Sequence, residues 1–180
     1  MKKYLILLSI VLSINFSKIK AMNFQDTVSY YTYDQFKELA LNDSTLKFIP
    51  ANVKTLHIQN ENFVFHPPWS VEQDLPDGGL YFEFLKNISD LERLEEIRLI
   101  KLFVKDLPQS FKKLTKLKRL GICLSKTADI EQILETLEKM PSLKYLDIYG
   151  SRLLIEQQKY IIKRLSKSGI TVDDSLIIGG

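Results

Sequence analysis

The chain holds 180 residues, 45% of them hydrophobic and 26% charged, with one cysteine, two histidines and a formal charge of +3. That is the composition of an ordered globular chain, and a single cysteine excludes an intramolecular disulfide, so the core must hold by packing. Residues 1–21 hold four lysines and no acidic residue; +3 less these four leaves −1 on the rest, which excludes a nucleic-acid binder working through overall positive charge.

At the start, Lys2 and Lys3 precede an apolar run of 13 residues from Tyr4 to Phe16, and Ala21 supplies a small residue for cleavage. This is the pattern of an export signal over 1–21, and the run is too short to cross a bilayer core of about 30 Å as a helix. It predicts a mature chain of 22–180 folding as one domain. The expected location is secreted or periplasmic, with no stable membrane insertion after cleavage.

Next, Phe36, Leu39 and Ala40 share one helical face over Tyr33–Leu41, with Asp34 near its start. They predict a helical cap within about 30–52. From 53 to 153 one spacing, apolar-x-x-apolar-x-apolar, recurs four times: Val53/Leu56/Ile58, Leu94/Ile97/Leu99, Leu117/Leu120/Ile122 and Leu143/Leu146/Ile148. Three of the sets share a lead-in, Ile88-x-x-Leu91, Phe111-x-x-Leu114 and Leu137-x-x-Met140. The steps between sets are 41, 23 and 26 residues, and steps of about 20–30 mark stacked units that each give one short strand and one return segment.

The return segments differ. Residues 65–79 form an insertion with Pro67, Pro68, Pro76, Asp77-Gly78-Gly79 and the single tryptophan, Trp69. Tyr81, Phe84, Leu85 and Ile88 suggest a helix after it. The segment following Leu107-Pro108 is short and fits a turn. Ile130, Ile133, Leu134 and Leu137 recur at helical spacing, with Thr127 as candidate N-cap. Ile161, Ile162 and Leu165 mark a closing helix in a C-terminal cap over about 154–172, which Gly169 is placed to stop.

Along each strand side chains alternate. The repeated apolar residues therefore face inward, and the alternates share an outer face: Thr55, His57, Gln59; Glu96, Arg98, Ile100; Arg119, Gly121, Cys123; Tyr145, Asp147, Tyr149. A nucleophile–base pair of Cys123 and His57 is disfavoured, because two strand spacings and two residues of offset put their backbones about 12 Å apart. No histidine, cysteine or acidic cluster has metal-ligand spacing, and no cofactor motif occurs.

Leu94-Glu-Glu-Ile97-Arg-Leu99-Ile-Lys-Leu102-Phe-Val104-Lys-Asp-Leu107-Pro108 resembles the leucine-rich repeat family, in a short, degenerate, secreted bacterial form. It departs from the family pattern at the asparagine position, held by Leu102 here and by Glu61, Ser125 and Ser151 in the other units. The resemblance implies an α/β solenoid with a short parallel sheet on its concave face, helices and turns on the convex face and helical caps at both ends. It also implies a non-enzymatic module that binds another protein or peptide, with no cofactor, metal or nucleic acid. His57, Glu96, Arg98, Arg119, Tyr145, Asp147 and Tyr149 are the expected contact residues, with Trp69 on a rim. The alternatives are a cell-envelope structural or immunity-type protein, or a hydrolase whose site carries no recognised motif.

Overall fold

The computed structural model describes residues 28–42, 46–61, 82–83 and 86–173. Residues 1–21, expected to be an export signal, and residues 65–79 with Trp69 lie outside them.

Among the described residues, six strands form one parallel sheet in chain order: β1 (Val28–Thr32), β2 (Thr55–Gln59), β3 (Glu96–Val104), β4 (Arg119–Leu124), β5 (Tyr145–Asp147) and β6 (Thr171–Asp173). Among the same residues, three α-helices return the chain: α1 (Tyr33–Asn42), α2 (Ile130–Glu138) and α3 (Ile155–Lys167). Two 3-10 turns, Lys86–Asp90 and Gln109–Lys113, serve the other connections. The protein is thus a mixed α/β fold with a parallel sheet flanked by short helices.

The four repeated apolar sets lie beneath β2 to β5. Leu56, Ile97, Leu120 and Leu146 are consecutive register partners and all are fully buried, as are Ile58 and Leu99 one step further along. The lead-in spacing of three residues has a hydrogen-bonding cause. Leu91 N–H donates to Ile88 O and Leu94 N–H to Leu91 O (3.2 and 3.1 Å); Leu114 and Leu117 repeat this with Phe111 and Leu114 (2.9 and 3.1 Å). Each such 3-10 link puts the next apolar residue on the same inward side. Once in the strand, each unit is tied to the one before through a single carbonyl. Lys54 O accepts from Glu95 and Glu96, Glu95 O from Lys118 and Arg119, and Lys118 O from Lys144 and Tyr145.

Several sequence expectations need correction. Two further strands, β1 and β6, occupy the sheet edges, so each end is closed by a helix with a strand and not by a helix alone. Phe36 is buried on α1, with Tyr33 and Ala40 packed beside it against the core, but Leu39 is exposed. In place of a helix through Ile88 there is the short 3-10 turn of Lys86–Asp90, with Phe82 and Glu83 in irregular backbone before it; Tyr81, Phe84 and Leu85 lie outside the described residues. The N-cap of α2 is Asp129, whose Oδ1 accepts from Gln132 N–H at 3.1 Å. Thr127 instead donates its N–H to Ser125 Oγ (3.1 Å), so its own hydroxyl is drawn into the preceding turn.

The asparagine position resolves in two ways. Ser151 Oγ accepts from Leu124 N–H at 2.7 Å and links neighbouring units, while Ser125 is fully buried against Thr127. Leu102 cannot bond in this way, and β3 changes course there. It takes five residues from Arg98 to Phe103 while β4 takes two from Gly121 to Cys123. Lys101 enters the left-handed region (φ 58°) within this bulge, and Leu102, Phe103 and Val104 are all buried. In the first unit the buried polar residue is Asn60 rather than the exposed Glu61; Asn60 N–H donates to Ile100 O at 3.0 Å.

Candidate protein-binding face

The side of the sheet opposite the leucine core carries polar and aromatic residues in register. One row runs Tyr30, His57, Arg98, Gly121, Asp147 and Asp173 across β1 to β6. A second runs Val28, Thr55, Glu96, Arg119, Tyr145 and Thr171. His57, Glu96, Arg98, Arg119, Tyr145 and Asp147, all expected at the outer face, therefore stand side by side in these two rows. Tyr149 lies two residues beyond the end of β5, and Trp69 lies outside the described residues.

The rows are locally organised. Tyr30 and His57 meet edge to face, ring centres 4.8 Å apart at 86°. Arg98 Nε donates to Glu96 Oε1, an ion pair within β3. The Arg119 guanidinium stacks over the Tyr145 ring at 5.1 Å. The Asp147 carboxylate accepts from Tyr149 N–H at 2.9 Å, which holds the turn after β5. Tyr30, Tyr145 and Tyr149 remain 70%, 48% and 50% exposed. A recess of about 360 Å³ opens at the β1 end, lined by Tyr30, Thr32, His57, Gln59, Glu61 and Ile100 among others.

Burial and, to a lesser degree, the Arg98 charge hold His57 below the usual imidazole range, partly opposed by Glu96. His57 is therefore neutral at neutral pH. Cys123 is not an outer-face group: it is 5% exposed, its thiol donates to Tyr149 O (3.2 Å), and burial pushes its pKa up. The bulge in β3 causes this by pairing Cys123 with the buried Phe103. A protonated, enclosed thiol is a poor nucleophile, and β3 lies between it and His57 on β2. Among the described residues, no three His, Cys, Asp or Glu side chains are placed to share a metal ion. None of their helices is long and apolar enough to cross a membrane.

Sequence reasoning does not place Tyr30 and Asp173 on this face, because it reads no strand over Val28–Thr32 and ends the C-terminal cap at about 172. The alternation in Val28-Ser-Tyr-Tyr-Thr32 was the available signal for Tyr30.

Comparison with known proteins gives a weak, partial likeness to a probable disease resistance protein of Arabidopsis thaliana, 32% identical over 141 residues. That match covers 76% of this chain, and the chain spans only 16% of the plant protein. No protein-family model matches the chain, and no solved structure matches it.

Proposed function

We propose that the chain is an exported, non-enzymatic protein- or peptide-binding module, a short bacterial solenoid of leucine-rich-repeat type that takes its partner on the outer sheet face. The observation that carries this reading is the face itself. Exposed Tyr30 and Tyr145 and two arginines, residue types that dominate interface energies, stand in two neighbouring rows of the sheet, with Arg119 and Tyr145 as direct register partners. The inward leucine sets, the chain-order parallel sheet and the Ser151 link between units support the solenoid assignment. The partial likeness to a protein named for disease resistance is compatible with a recognition role and identifies no partner.

The test is a pair of baits, the chain from Met22 and its Tyr149→Ala/Arg98→Glu double variant, exposed to cell-envelope and culture-medium extracts. A protein captured by the first and lost by the second, at nearly equal melting temperatures, is the expected result. Equal capture by both baits would remove the binding role from this face.

A further inference from the structure

Resting on that binding reading, the recess at the β1 end of the face narrows the partner's chemistry. One wall is held by Tyr31, which packs edge to face on Phe36 and Phe48 (ring centres 5.9 Å apart in each case) and donates its hydroxyl to Phe48 O at 3.4 Å. Another is held at the start of α1, where Thr32 N–H donates to Gln35 Oε1 (3.1 Å) and Gln35 N–H to Thr32 Oγ1 (3.2 Å). This reciprocal pair is a capping box, so the recess is preformed on both sides. Glu61 is the one charged residue lining it among the described residues; it is exposed and makes no ion pair with them. His57 is held neutral. Neither Arg98, already paired with Glu96, nor Lys101 lines the recess. Tyr30 completes it. Its edge-to-face contact with His57 occupies at most one face of the ring, and the residue is largely exposed.

We propose that this recess holds one basic side chain of the partner, a lysine or an arginine, with its cationic head between the Glu61 carboxylate and the open face of Tyr30. A carboxylate and a tyrosine ring with no opposing cation attract positive charge twice over, through an ion pair and through the ring's negative face. Gln59, also lining the recess, supplies an amide oxygen to accept a further N–H. The recess measures about 360 Å³, near the lower end of the range of about 300–1,000 Å³ for ligand sites, which suits one long side chain. An acidic side chain would meet Glu61 with like charge. An apolar one would desolvate Glu61 and Gln59 without replacing their hydrogen bonds to water.

Selection of a random-peptide display library on the immobilised full chain tests this. Enriched peptides are expected to share a lysine or arginine at one aligned position. Replacing that residue by norleucine in a synthetic copy should weaken binding about tenfold at low salt, with a smaller difference at high salt. Tyr30→Leu should weaken binding of the unaltered peptide about threefold. Glu61→Lys should turn the preference at the aligned position to aspartate or glutamate, a reversal that a loss of folding cannot produce. Peptides that need Tyr149 and Arg98 but carry no basic preference, or one that Glu61→Lys leaves unchanged, would overturn this inference and leave the binding reading standing. Absence of any enrichment would overturn both.

Discussion

His57 holds a costly position. Its Nε2 is buried with no hydrogen-bond partner among the described residues, while its ring packs on Tyr30 and lies beside Arg98. A buried polar atom without a partner costs about 1–3 kcal/mol, and an apolar ring of similar shape carries no such cost. His57→Phe is therefore expected to stabilise the fold by about 1 kcal/mol at neutral pH, read by urea unfolding. The pH dependence has a definite sign. Because the folded pKa is lowered, the unfolded chain takes up the proton first. Wild-type stability then falls as pH drops from about 6.5 through the lower folded value and levels off below it. The Phe variant lacks this step, so the gap between the two should widen in acid; parallel profiles would contradict the assignment. Cys123 obeys the same logic in reverse. Buried, bonded to Tyr149 O and raised in pKa, it should resist alkylation in the native protein and react fully once unfolded.

Helices and strands were legible to different degrees, and the reasons are local. Helix α2 announced itself by Ile133, Leu134 and Leu137, all buried as their spacing requires. Its first residue did not, because Thr127 and Asp129 are both competent caps and only the turn at Ser125 decides between them. Asp129→Ala should accordingly cost about 1 kcal/mol. The inner faces of β2 to β5 were legible because a period of two with leucine and isoleucine admits one register. The edge strands were not: β6 is three residues with one apolar side chain, and it exists because β5 presents a free backbone edge to pair with. The same limit hid Tyr30 and Asp173 from the candidate face, whereas Arg98, Arg119 and Tyr145 followed directly from alternation. Nor does a leucine at the asparagine position reveal the bulge that accommodates it. Lys101 stands there at φ 58°, a conformation that costs an L-residue about 1–2 kcal/mol relative to glycine's freedom. Lys101→Gly should be neutral to stabilising by up to about 1 kcal/mol, and Lys101→Val destabilising, since branching at Cβ worsens the clash. A glycine variant less stable than the valine one would show that the lysine side chain, not the backbone, sets the bulge.

At the scale of the whole molecule, each strand pairs only with its neighbours in sequence, so cooperativity is passed along the sheet rather than shared through a closed core. Strands β3 and β4 are flanked on both sides and carry the fully buried Ile97, Leu102, Leu120 and Leu124 layer. Strand β6 is paired on one side only, by three residues. Free energies of local opening should therefore fall from the centre to the ends, and amide exchange should be slowest at Leu120 and Ile97 and fastest at Thr171 to Asp173. Ile97→Ala, which empties space in the central layer, should cost about 2–5 kcal/mol and speed exchange along the entire sheet. A change confined to β3 would show instead that the units unfold independently.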